Sequence, residues 1–99
     1  MAFVKICGIK EVLNGKGKSF IVNSQDIAVF NLEGKYYAVQ NKCPHAGVGL
    51  SGGFVDGNNI TCPGHGWQFD IKTGEHAFMP VCLKTYGTKI LGEDLLIEI

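Results

Sequence analysis

Two short segments constrain this chain more than anything else in it. Cys43-Pro44-His45 and Cys62-Pro63-Gly64-His65 each carry one thiol and one imidazole, and sixteen residues separate them. Thiol and imidazole are the side chains that soft and borderline metals prefer. A fold that uses all four at once must bring two separate loops to one place. Both segments are rich in Pro and Gly, with Gly47, Gly64 and Gly66 close by. Pro stiffens a turn and Gly lets backbone approach closely, so such loops leave N–H groups free to point inward at bound sulfur.

Two thiolates and two imidazoles suit tetrahedral zinc, and a structural zinc module is one reading of the spacing. Common structural zinc patterns, however, gather two Cys in one loop and two His in another. Here each loop supplies one of each. That mixed arrangement suits a two-metal cluster, in which the two Cys hold one iron and the two His the other. Cys7, Cys82 and His76 stand outside the pattern and read as small buried groups or satisfied surface groups.

Around these loops the chain reads as all-β. With 14 Gly in 99 residues, about twice the usual share of roughly 7%, it has the material for many tight turns. Strands are expected at Phe3–Cys7 and Ser19–Val22. A hairpin follows, Ile27–Leu32 and Tyr36–Gln40 about a Glu33-Gly34 turn, ending at Cys43. A second hairpin, Phe54-Val55 and Ile60-Thr61, ends at Cys62. Further strands are expected on either side of Thr73-Gly74 and, in the tail, on either side of Gly92-Glu93. No helix of useful length, repeat or linker is evident, so residues 1–99 are expected to form one domain. At this length only roughly 60–68% of the unfolded surface is buried, and a bound cofactor would add noticeably to stability.

Several function classes are disfavoured. Net charge is zero and all nine cations are Lys, so the guanidinium fork that reads base edges is missing and no nucleic-acid partner is expected. "GKGKS" at 15–19 brushes against the phosphate-loop pattern, but the first Gly of that pattern would fall at Val12. No apolar run reaches about 18 residues and no export signal is visible, so no membrane partner and a cytoplasmic location are expected. In a reducing compartment metal ligation is the better default for the Cys.

The pattern C-x-H, sixteen residues, C-x-x-H, with "EGKYYAVQNKCPH" before the first loop and "CPGHGW" at the second, resembles the Rieske [2Fe-2S] proteins. Gly74, Pro80, Leu83 and Tyr86 fit the later stretch, in which a Pro-containing loop covers the cluster. The resemblance spans nearly the whole chain. It implies a small antiparallel β-sandwich with two cluster-binding loops at one end and one [2Fe-2S] cluster per chain. Cys43 and Cys62 would hold the buried iron, and His45 and His65 the outer one, each with its second ring nitrogen facing solvent.

The respiratory members of the family resemble C-T-H-L-G-C…C-P-C-H-G-S-x-Y, where an extra Cys in each loop forms a disulfide. This chain has Val48 and Gly64 at those positions, and Trp67 and Phe69 where that type has Ser and Tyr donors to cluster sulfur and to a ligand thiolate. Catalytic subunits of ring-hydroxylating oxygenases need a few hundred further residues. The resemblance therefore implies a stand-alone ferredoxin rather than an enzyme. Its expected partners are a ferredoxin reductase and a terminal oxygenase. The alternative is the small subunit of an NADH-dependent nitrite reductase, whose partner would be the large subunit. Trp67 is expected to pack beside the cluster rather than to relay electrons.

Overall fold

The computed structural model describes residues 2–44, 47–64, 66–76 and 78–99. Among the described residues there are three antiparallel sheets. The first has the order β1 (Phe3–Gly8), β10 (Asp94–Glu98), β9 (Thr88–Leu91). The second runs β2 (Gly17–Val22), β3 (Gln25–Leu32), β4 (Lys35–Gln40), β8 (Thr85–Tyr86). The third, small sheet is β5 (Phe54–Asp56), β6 (Asn59–Thr61), β7 (Gln68–Asp70). The only helical segments among the described residues are the 3-10 turns Ile9–Glu11 and Leu50–Gly52.

β3 organises the molecule. Its run Ile27-Ala28-Val29-Phe30 is fully buried, because both faces of the strand are covered. Ile27 and Val29 face one core with Ala38, Leu95 and Ile97, where the first sheet packs. Ala28 and Phe30 face the other with Val39, Ile60, Phe69 and Ile71, where the small sheet packs. Period-two alternation sends neighbouring side chains to opposite faces, so one apolar strand supplies both cores. At about 1.5–3 kcal/mol for each fully buried large aliphatic or Phe side chain, these two cores are the main drive to fold. The Glu33-Gly34 turn has φ of 55° and 87°, the doubly positive pair that matches strand twist in a two-residue hairpin.

The expected strands are present, with two differences. The small sheet is a layer of its own, so the middle sheet lies between two others. The strand expected after Thr73-Gly74 is reduced to single bridges, Phe69 to His76 and Glu75 to Cys82. Asp70 Oδ1 accepts the Lys72 and Thr73 N–H groups, and Leu83 N–H bonds to Gly74 O, which commits the segment to a closed loop instead of a ladder.

Candidate metal centre

Both cysteine loops grow from strand ends and close in the same way. Cys43 N–H donates to Val48 O at 2.9 Å, and Gly47 N–H donates to Cys43 O at 2.7 Å. In the second loop Cys62 N–H donates to Trp67 O at 2.7 Å, and Gly66 N–H donates to Cys62 O at 3.1 Å. Each Cys thus anchors a five-residue turn through both its backbone groups. Gly47 and Gly66, four residues on in each case, take φ of 67° and 75°, where a side chain is strained. In the sequence each expected His lies between the Cys and the Gly that close one of these turns.

Cys43 and Cys62 are each 1% exposed and share one buried core with Leu50, Phe69 and Leu83. His45 and His65 lie outside the described residues. The structure therefore brings the two thiols into one buried cluster and fixes the backbone on both sides of each imidazole position. Cys7 belongs to the opposite core, where burial, and after it the Glu11 carboxylate, pushes its thiol pKa up. Cys82 is exposed, its thiol 3.6 Å from Thr73 O and 3.5 Å from Leu83 O. Neither joins the buried pair.

The loops also touch each other. A Cβ placed on Gly64 would lie 3.0 Å from Val48 Cγ2, 3.7 Å from Val48 Cβ and 3.7 Å from Cys62 Sγ. Glycine is what lets the second loop pass this close to the first. The same geometry makes a prediction: 3.7 Å falls within the Cβ···Cβ range of roughly 3.5–4.5 Å that a disulfide requires. Val48→Cys combined with Gly64→Cys should form that bond in air, read as loss of two titratable thiols relative to the reduced double variant. Closing a loop of this size should add about 3 kcal/mol of stability. A double variant that keeps both thiols in air would show that the loops do not meet as described.

Two supporting residues carried no signal in the spacing. Asn41, just before the first loop, is buried and fully engaged. Its Nδ2 donates to the Asp26 carboxylate at 3.1 and 3.2 Å, its Oδ1 accepts Ser51 N–H at 2.9 Å, and its carbonyl accepts Leu50 N–H at 2.6 Å. It ties both ends of the 41–51 loop to β3. The other is His76. Its Nδ1 accepts the N–H groups of Phe78 and Met79 at 2.9 and 3.0 Å, and its ring stands edge-on to Trp67 and Phe69. A bridge to Phe69, visible only once residues 69 and 76 are paired, would have been the clue.

The donor set fits an iron–sulfur cluster. Two buried thiols share one core, each at the start of a like-closed turn, and the buried His76 Nε2 has no hydrogen-bond partner. With fold and loops in view, the comparisons with known proteins agree. The family model described as Rieske [2Fe-2S] domain matches residues 2–87, and the chain belongs to that family. It is 36% identical over 101 residues to the biphenyl dioxygenase ferredoxin subunit of Pseudomonas sp. strain KKS102, covering 99% of this chain and 93% of the relative. It is similar to a chain in the solved complex of reduced oxygenase and oxidized ferredoxin of carbazole 1,9a-dioxygenase, with TM-score 0.86, 28% identity, and coverage of 96% of this chain and 91% of that one. It also superposes on a structure described as the NADH-dependent nitrite reductase small subunit of Mycobacterium tuberculosis, with TM-score 0.89, 21% identity, and coverage of 97% and 93%. At that identity the last match shows the fold alone.

Proposed function

We propose that this chain is a one-electron carrier that binds one [2Fe-2S] cluster through Cys43, Cys62, His45 and His65 and passes electrons from a ferredoxin reductase to a terminal oxygenase. It works as a component of a multicomponent oxidoreductase system and not as an enzyme. The observation that carries this reading is the pair of identically closed loops that bury Cys43 and Cys62 in one core. When bound, the cluster supplies a single reversible electron. The protein's own residues hold it, exclude water from the thiolate side and present the imidazole side to partners. No helix among the described residues is long and apolar enough to cross a membrane, and a cytoplasmic location is proposed with the carrier role. The relatives named as dioxygenase ferredoxins favour this reading over the nitrite reductase subunit, whose support is the fold alone.

Purified protein tests it directly. The expected sample is red-brown, holds two irons per chain, accepts one electron from an NAD(P)H-linked reductase and gives it to an oxygenase. A colourless sample with one zinc per chain would overturn the proposal in favour of the zinc module.

The surroundings of the loops predict how docking responds to salt. Residues 43–55, 57–69 and 76–83 contain no Asp, Glu, Lys or Arg, while Phe78 is 92% exposed and Met79 and Pro80 are exposed beside it. Steering by charge is therefore weak, and the transfer rate to the oxygenase should change less than about twofold between low and moderate ionic strength. An exposed aromatic side chain beside the site is the best local anchor. Phe78→Ser should slow transfer about fivefold or more at unchanged potential, corresponding to about 1 kcal/mol of lost contact. A steep salt dependence with a neutral Phe78 variant would place docking elsewhere.

A further inference from the structure

His76 is the one imidazole among the described residues, and neither ligation nor docking uses it. Its two nitrogens are in different situations. Nδ1 accepts two backbone N–H bonds, from Phe78 at 2.9 Å and Met79 at 3.0 Å, so in the neutral ring the proton must sit on Nε2. Nε2 is buried and has no partner. A buried N–H left unpaired is costly, and a structure rarely tolerates one without a reason.

The rings packed against the imidazole belong to the thiol site. The ring stands at 82° to Trp67 with centroids 4.6 Å apart, and at 90° to Phe69 at 5.2 Å. Trp67 closes the second cysteine loop through its carbonyl, and Phe69 packs in the core that holds Cys43 and Cys62. His76 is thus tied to Phe78 and Met79 through Nδ1, and its ring packs edge-on against two side chains of the thiol core. Neither Trp67 nor Phe69 offers a lone pair for this proton beyond a weak aromatic-face contact. Sulfur of a bound cluster, or of its thiolate ligands, would.

We propose that His76 is a positioning residue with two ends: Nδ1 ties down the loop that covers the cluster site, and Nε2–H is a preset hydrogen-bond donor to the cluster's sulfur shell. The proposal rests on the cluster reading given above. A donor to sulfur stabilises the reduced, more negative form, so His76 raises the midpoint potential above what Trp67 and Phe69 alone would set. It also joins the covering loop to the cluster through one ring, making the loop carrying Phe78 part of the redox site.

Two substitutions separate the ends. His76→Asn keeps an acceptor near Nδ1 and loses the inner donor; His76→Gln keeps a donor near Nε2 and loses the loop tie. In the cluster-loaded proteins, His76→Asn should make reduction about fivefold less favourable, a downward shift of about 40 mV at roughly 59 mV per tenfold for one electron, with Phe78 and Met79 amides still slow to exchange. His76→Gln should stay within about twofold of wild type in that equilibrium while those amides exchange faster. An unchanged equilibrium in His76→Asn, or equal losses in both variants, would overturn the assignment. Should His76→Asn fail to bind the cluster, pulsed EPR of reduced wild type with ¹⁵N-labelled histidine decides. Coupling from a third imidazole and its exchangeable proton supports the bond, and coupling from only two imidazoles refutes it. A colourless wild type would overturn the cluster reading as well, whereas a red-brown one with unchanged His76→Asn overturns only the role of His76.

Discussion

Cys43→Ala and Cys62→Ala are each expected to yield a colourless protein that melts well below the wild type. Both thiols lie in the same core as Phe69, Leu50 and Leu83, and as ligands they must be thiolates, whose charge such a core accepts only with a metal bound. Metal binding and folding are therefore coupled: binding requires the thiolates, and only the bound metal makes their burial favourable. A domain of 99 residues has a small margin of stability, so loss of that contribution should loosen the fold as well as bleach it. His45→Ala and His65→Ala should also abolish the native spectrum, with a smaller effect on the core. Cys7→Ser should lower stability, because it puts a hydroxyl into the opposite apolar core, and yet keep the visible spectrum. Cys82→Ser, at an exposed position, should change neither. Iron content, absorbance and melting temperature check all six. If Cys82→Ser alone lost its iron, the ligand assignment would be wrong.

Legibility of the fold in the sequence tracked how many neighbours each segment needs. β3 and β4 could be read because alternation, β-branched residues and a Glu33-Gly34 turn agree locally, and the register Ile27 with Gln40 through Leu32 with Lys35 follows from that turn. The strands β5, β6 and β7 have three residues each, too few for a pattern to show that they form a separate layer. The segment after Gly74 looked like a strand by composition. Its backbone is instead held by the Asp70 side chain, the Gly74 to Leu83 bond and His76 Nδ1, none of which periodicity reveals. At the site, spacing singled out the four expected ligands, and the family resemblance singled out the Val48 and Gly64 positions that the structure brings side by side. It did not single out Asn41 or His76. Their roles depend on groups 15 residues away in Asp26 and on two aromatic rings brought alongside by the small sheet. The same core that buries the thiols also places these rings, and that has a consequence for the redox potential.

The midpoint potential should lie near the low end of the Rieske range, toward about −150 mV and away from about +300 mV. The family resemblance puts Trp67 and Phe69 where the high-potential respiratory type has Ser and Tyr hydroxyl donors. Phe69 is completely buried in the thiol core and stands 6.3 Å from Trp67 between ring centroids, so the pair forms an aromatic wall. Neither side chain has an O–H to give. A hydrogen bond to sulfur favours the reduced cluster, and at about 1 kcal/mol per bond each missing donor lowers a one-electron couple by about 40 mV. The inner N–H of His76 would return about one such increment, which still leaves the couple well below that of a site with several donors. Phe69→Tyr tests the argument with one added oxygen and little change of shape. The new hydroxyl must find an acceptor in a core otherwise filled by Cys43, Cys62 and Leu83, and thiolate sulfur is the acceptor at hand. Its midpoint should rise by tens of millivolts, about 40 mV for a single new bond, at a small cost in stability. Voltammetry at neutral pH measures both proteins. A wild-type value clearly above zero would refute the low-potential assignment, because a couple that high suits quinol oxidation rather than filling by a pyridine-nucleotide-linked reductase. A Phe69→Tyr value equal to wild type, with the cluster intact, would mean that the ring does not face the thiolates and that the potential is set by something other than the missing hydroxyl.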